Sequence, residues 1–447
     1  KPEDEDIFST PAITTETATL YEHCTRALDV GDTSGRHGLP KMGGGDWNDG
    51  MNRVGRGGTG ESVWLAWFLA RTAVDFSAIA EARGDGTRVA WCKALVTRLS
   101  RAVDAEGWDG AWYRRAFFDD GTPLGSSGNT ECSIDAIAQS WAVIAGIGDG
   151  ARARAAVRSS ENELVRPDEA LMRLLWPPLD KSVPDPGYIR AYPGGIRENG
   201  GQYTHGVLWT VQALSQLGEG DRALALLSLL NPIHHASSPA LTERYQVEPY
   251  VVAADVYDAV GHAGRGGWTW YTGAAGWMYR IVVEHLLGVK RRGDRLYIDP
   301  CVARDWSRFE MTYRDGEGEI HVLVENPDRV ERGVRRVEVD GRETSGGAIP
   351  LTGAPGRREV RVVLGQGQSS TRGTSPATAP AMKKHRKPVS PTKPEAQPDA
   401  GYEGSHGYGP SHGGPSGPGD APAAVPAQNP APSNKDEDDG ADEDEDT

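Results

Sequence analysis

Apolar residues recur with a helical period as far as Leu287 and with a two-residue period after it, so one kind of regular layer cannot accommodate the whole chain. Helix-period positions fill Glu16–Leu28, Glu61–Ala82, Thr87–Ala105, Ile134–Ile147, Thr204–Leu217, Arg222–Leu230 and Gly273–Leu287. Glu61 is expected in a first turn, where an acid complements the helix dipole. Long connections rich in Gly and aromatics separate these segments: Gly31–Gly60, Gly107–Glu131, Trp176–Tyr203 and Asn231–Trp270. Connections of that length without structure of their own are uncommon unless they carry function. The pattern predicts a mainly α fold, a helical toroid with its site on one loop-bearing face. After Leu287, the runs Arg295–Ile298, Arg308–Tyr313, Glu319–Glu325, Arg335–Val339 and Glu359–Leu364 alternate, with turns such as Asp315-Gly316 and Asp340-Gly341 between them. They predict a small antiparallel β-sandwich. From Gln366 to Thr447 there is no Leu, Ile, Phe or Trp, so that segment cannot offset its ordering entropy and is expected to be disordered. The expected division is 1–290, 291–365 and 366–447.

This division decides how the net charge of -15 is read, because Asp436–Thr447 alone carries nine acids. The folded part is only mildly acidic and has no basic stripe, which excludes nucleic acid as a partner. The run Lys383–Lys387 (KKHRK) lies in the polar tail and reads as a solvated patch. Four scattered cysteines, Cys24, Cys92, Cys132 and Cys301, form no CxxC pair. That usage argues against a zinc site or disulfide framework and suits a reducing, cytoplasmic compartment. No run of eighteen apolar residues occurs, so no membrane contact is expected from this chain itself. It opens on Lys1 and a charged KPEDED run, and the expectation is a piece of something longer.

The chemistry concentrates in the loops. Of the 13 tryptophans, Trp47, Trp108, Trp112, Trp176, Trp268 and Trp270 fall there. Flat aromatic rings suit the C–H faces of sugars, although any one of them alone is explained as a lid packed on helices. Acids accompany them: Asp46 and Asp49 in GGGDWNDGMN, Asp119-Asp120 in FFDDG, Glu131, Glu198 in RENGG and Glu248 in VEPY. Cleaving a glycosidic bond needs a carboxylic acid to protonate the leaving oxygen, and then a second carboxylate or an already activated nucleophile. Asp120-Gly121 reads as a β-turn, and spacing does not choose between Asp46 and Asp49. His205 opens a helix, and Thr272-Gly273 opens another, a cradle for an oxyanion. No metal-ligand spacing is present.

Taken in order, HGLPKMGGGDWNDGMNRVG, GESVWLAWFL, FFDDGTPLGS, AQSWAVIAG, RENGGQYTHGVLW, VEPYVVAADVY and GGWTWYTGAAGWMY resemble glycoside hydrolase family 94, the cellobiose and chitobiose phosphorylases. Within it the likeness is to the phosphorylase-like C-terminal region of cyclic β-1,2-glucan synthases, and it runs from about Lys1 to Gly365. The resemblance implies an (α/α)6 barrel, here partial, followed by the small sandwich. It implies a glycosyltransferase or phosphorylase-type enzyme that performs inverting phosphorolysis on a β-glucan, with β-1,2-glucan expected. Inorganic phosphate is the co-substrate and no cofactor is needed. The general acid falls on Asp49, and Trp47 contacts the sugar with Tyr192 and Glu198 nearby. Asp46 is a structural or hydrogen-bonding neighbour, and phosphate falls to His205, Thr272 and Gly273. Three departures stand out. Fewer helices are readable than the twelve of the family barrel. The family's phosphate-binding arginines lie upstream of DWND, in a region this chain does not contain. Ala253-Ala254 stands where disaccharide phosphorylases carry a Gln. The chain is therefore expected to be the C-terminal portion of a longer enzyme, a membrane-bound synthase being one form. The alternatives are a non-catalytic glucan-binding or chain-length-controlling module and an inverting hydrolase.

Overall fold

A computed structural model describes residues 12–270 and 272–365, so the expected disordered tail lies outside the described residues. Ten α-helices occur among the described residues. They are α1 (Leu20–Gly31), α2 (Val63–Ala82), α3 (Gly86–Ala102), α4 (Ala136–Ala145), α5 (Gly150–Leu164), α6 (Thr204–Leu217), α7 (Gly220–Leu230), α8 (Pro232–His235), α9 (Pro239–Tyr245) and α10 (Thr272–Arg280). Helices α2, α4, α6 and α10 are successive neighbours, while α3, α5 and α7 back onto α2, α4 and α6. Sequence separates the two rows. Eight of the ten residues of α4 are buried, and the buried set of α6 runs unbroken from Gly206 to Ser215. α5 buries one stripe, Ala153, Ala156, Val157, Ser160 and Leu164. A helix apolar all round needs neighbours on every side, and one with a single stripe needs them on one. Trp64, Trp67, Trp141 and Trp209 join this core, where a buried large side chain stabilises by about 1.5–3 kcal/mol.

Each of the helices α2, α4 and α6 is entered through a two-residue strand paired with a loop. Glu61–Ser62 pairs Ala116–Phe117, Ile134–Asp135 pairs Leu175–Trp176, and Gln202–Tyr203 pairs Asp255–Val256. The long connections are thereby tied to the N-terminal ends of these helices. Glu61 consequently lies before α2 instead of in its first turn. Its buried carboxylate accepts the amide N–H groups of His37 and Leu39 and faces His37 Nδ1 at 2.6 Å. α2 is long and apolar enough to cross a membrane by length and composition, yet half of it is buried against the other helices.

After Gly288 come β1 (Val289–Arg292), β2 (Arg295–Ile298), β3 (Arg308–Asp315), β4 (Gly318–Glu325), β5 (Val334–Val339), β6 (Arg342–Glu343), β7 (Ile349–Pro350) and β8 (Gly356–Leu364). They form a three-stranded sheet β1-β2-β7 and a five-stranded sheet β3-β4-β8-β5-β6. Leu296 and Ile298 of the first sheet share one buried cluster with Ile320, Val322, Val324, Val360 and Val362 of the second. The sheets are not wholly antiparallel, because β4 and β8 run parallel from Gly318↔Gly356 to Glu325↔Val363. The long excursion between them supplies the crossover that a parallel pair requires.

Candidate active site

The loop between α1 and α2 holds two carboxylates in opposite circumstances. Asp46 has no exposed side-chain surface, and Arg115 donates Nη1 and Nη2 to its two oxygens at 2.6 Å each. Ser62 Oγ donates to Asp46 Oδ2 at 2.6 Å and the Asn48 N–H to Oδ1 at 3.0 Å. Burial opposes the charge, but Arg115 and these donors outweigh it and hold the carboxyl below its usual range. With its oxygens engaged by four donors, Asp46 has no proton to give. Asp49, three residues on, is exposed. It opens a 3₁₀ turn capped by Asn48, whose side-chain oxygen accepts the Gly50 N–H at 3.1 Å. The Tyr188 phenol lies by the Asp49 carboxylate, and burial together with that carboxylate pushes it above its usual range.

Trp47 turns inward between these acids. Its ring meets Tyr203 at 5.6 Å, His205 at 5.4 Å and Trp209 at 5.5 Å, edgewise or tilted. His205 in turn stacks on Trp277 of α10 at 5.7 Å. Burial pushes its imidazole down to about 4, so the ring is neutral near pH 7, and Nε2 is buried without a partner. A neutral ring with an unanswered nitrogen welcomes a hydrogen-bonding ligand. Thr272 and Gly273 open α10, exposed, and a Cβ on Gly273 would meet nothing within 4 Å.

Glu198 is buried, and Arg197 beside it has a left-handed backbone, φ 49°. Arg197 Nε donates to Glu198 Oε2 at 3.3 Å, while its guanidinium lies 5.1 Å over the Tyr192 ring and 6.0 Å over Tyr203. Asp255 accepts the N–H groups of Arg197 and Trp268 at 3.1 and 3.2 Å, and burial pushes its carboxyl up to about 6. A cavity of about 410 Å³ adjoins this corner, lined by Gln246, Tyr257, Arg265, Trp268 and Thr269. Tyr188 also meets the Tyr192 ring edgewise at 6.5 Å.

The remaining acids serve the loops. Asp119 accepts the N–H groups of Gly57, Thr59 and Gly60, Asp120 that of Thr122, and Glu131 those of Asp180, Lys181 and Ser182. Glu248 accepts Trp270 Nε1–H. Sequence reasoning missed Arg115, Tyr188, Arg197 and Asp255. The signal for two of them was a charge inside an apolar run, YRRAFF and VAADVY. Among the described residues no group of His, Cys, Asp and Glu could hold a metal ion.

The catalytic-domain model of the glycosyl hydrolase 94 superfamily matches residues 3–288. The chain belongs to this superfamily. This member of the glycosyl hydrolase 94 superfamily is 50% identical over 310 residues to cyclic beta-(1,2)-glucan synthase NdvB of Rhizobium meliloti (strain 1021), covering 69% of this chain and 11% of that protein. It is 34% identical over 340 residues to solabiose phosphorylase of Paenibacillus borealis, covering 75% of this chain and 43% of the relative. It is 29% identical over 353 residues to N,N'-diacetylchitobiose phosphorylase of Vibrio proteolyticus, covering 78% and 43%. The chain therefore spans less than half the length of these relatives. The motif resemblance to the family is thus correct for residues 3–288.

Proposed function

We propose that this chain carries the acid side of an inverting phosphorolysis site for a β-glucan, with β-1,2-glucan as substrate. Phosphorylases of this superfamily take inorganic phosphate as co-substrate and need no cofactor. In this reading the long helices form an arc of an (α/α)6 barrel over residues 1–290, 291–365 form the sandwich, and the site lies at the loop-bearing end. The chain then works as a cytoplasmic region of a larger glucan synthase. Asp49 protonates the glycosidic oxygen as the bond to the anomeric carbon breaks. Phosphate, held by His205 and the amides of Thr272 and Gly273, attacks that carbon from the opposite face, yielding glucose 1-phosphate and a shortened glucan. Phosphate arrives as an anion, so a second carboxylate is not required as base. Trp47 backs the sugar ring, Tyr192 and Glu198 flank it, and Asp46 holds the loop instead of touching sugar.

One observation carries the reading. The exposed Asp49 follows, three residues on, a carboxylate locked by Arg115, and Trp47 of the same loop meets the ring of His205, whose Nε2 has no partner. The test uses the intact protein with β-1,2-glucan and phosphate, following glucose 1-phosphate. Asp49→Asn is expected to lower release by about 10²–10⁴-fold. Undiminished release overturns the assignment of the acid, glucan binding without release favours the module reading, and phosphate-independent glucose release favours hydrolysis.

A further inference from the structure

Arg115 is fully buried, and it is the point where three parts of the loop-bearing end meet. Its N–H donates to the Leu124 carbonyl at 2.8 Å and its carbonyl accepts the Val63 N–H at 3.2 Å, which fixes its backbone against the start of α2. Its guanidinium grips Asp46 with two bonds of 2.6 Å. Ser62, which also binds Asp46, caps α2 by accepting the Leu65 N–H at 3.0 Å. Asp135, which caps α4 by accepting the Ile137 N–H at 2.8 Å, faces Arg115 Nε at 3.4 Å. One guanidinium thus ties the Asp46 loop to the N-termini of two neighbouring helices.

The consequence falls on Asp49. Between Asp46 and Asp49 the chain has no slack, since the Asn48 N–H is held by Asp46 and the Asn48 side chain holds the Gly50 N–H. Displacing the Asp46 carboxylate therefore displaces the turn that presents Asp49. A buried ion pair is a poor source of net stability compared with apolar packing, but a planar two-pronged donor fixes geometry that a point charge does not. We propose that Arg115 is the positioning residue for the general acid, setting the location of Asp49 through Asp46 without touching substrate. This rests on the reading of Asp49 as the acid.

The experiment compares the intact wild-type protein with Arg115→Lys, Asp46→Asn and Asp49→Asn. Each is prepared also with 3-fluorotyrosine, so that the Tyr188 fluorine, assigned with Tyr188→Phe, reports the Tyr188–Asp49 contact. Arg115→Lys keeps the charge and loses the fork. It is expected to lower kcat by about 10–10²-fold, the scale of a misplacement near 1 Å. KM is expected to stay within about threefold, and the Tyr188 resonance to move as it does in Asp49→Asn. Asp46→Asn is expected to reproduce both effects should Arg115→Lys not fold. An unmoved Tyr188 resonance, or a loss of kcat that only follows falling thermal stability, overturns the positioning role. A wild type that releases no glucose 1-phosphate sinks the functional reading and the positioning role with it, whereas an unmoved resonance beside an active wild type sinks the positioning role alone.

Discussion

His235 is 3% exposed and stacks on Tyr245 at 4.8 Å, with neither ring nitrogen in a hydrogen bond of normal geometry and the Leu229 carbonyl offering only a weak contact. Burial, helped by Arg244 and His234, pushes its imidazole down from 6.5 to about 4. The sign follows from linkage. The unfolded chain takes up a proton near pH 6.5 that the folded ring refuses until about pH 4, so this residue withdraws stability as pH falls between those values. The shift corresponds to about 3 kcal/mol at the acid end. Asp135 and Asp255, pushed up to about 6 by burial, act in the opposite sense, because the folded state holds their protons more tightly as pH rises from about 4 to 6. The clean observable is therefore a difference. His235→Phe should match wild type within about 1 kcal/mol at pH 7 and exceed it increasingly toward pH 4, as measured by urea unfolding at several pH values. Parallel curves for the two proteins would show that His235 is not the buried neutral group described here. Residue identity revealed none of this. Spacing offered Asp46 and Asp49 as equals and only the family resemblance preferred Asp49; the physical difference comes from Arg115, 69 residues away from Asp46, with Ser62 and the Asn48 N–H.

At the level of elements, α6 gives way where the site needs room. A Cβ on Gly206 would stand 2.6 Å from Leu174 Cδ1, 3.2 Å from the Trp47 ring and 3.3 Å from Ile137 Cγ2. Leu174 can rotate away, and alanine is the better helix former by about 1 kcal/mol, so Gly206→Ala should leave stability within about 1 kcal/mol of wild type. The indole of Trp47, wedged among Tyr203, His205 and Trp209, has to give instead. The expected result is a KM for glucan raised about 3–10-fold with little change in melting temperature, in steady-state assays of the intact protein, the order of effect when a pocket contact is misfitted. Unchanged KM would mean that Trp47 is not a sugar platform. Such elements were legible to the degree that they bury large residues. α2, α4 and α6 declared themselves through Trp, Leu and Ile at helical spacing, whereas α5 was missed because four of the five residues of its stripe are the small Ala153, Ala156, Val157 and Ser160, set among Arg, Ser and Glu. The two-residue ladders ahead of α2, α4 and α6 are too short for any periodicity to register. The parallel pairing of β4 with β8 depends on a partner more than thirty residues away, and alternation along a strand carries no direction.

For the molecule as a whole, the seam between the helices and the sheets decides whether they unfold as one. α7 starts at Gly220, where a Cβ would lie 2.1 Å from the Val302 carbonyl oxygen, backbone against backbone. Around that contact Glu331 accepts the Asp221 N–H at 3.0 Å, Asp221 accepts the Arg304 N–H at 2.9 Å, and Arg332 reaches the Gln216 carbonyl at 3.0 Å. Val302 itself is buried in the cluster shared by the two sheets. Neither backbone can yield to a methyl group as a flexible side chain would, so Gly220→Ala should destabilise by about 1–3 kcal/mol, the usual range for overpacking. Where that loss falls tells how the parts are coupled. If the seam makes one cooperative unit, hydrogen exchange should accelerate by similar factors in the amides of α4 and α6 and in those of β4 and β8, because all of them exchange through the same global opening. Loss of protection restricted to the first turn of α7 and the residues flanking Val302 would refute the coupling and make the sheets a separately folding layer. The hydrogen bonds named above cross the seam at both α6 and α7, and a joint loss is therefore the expected outcome.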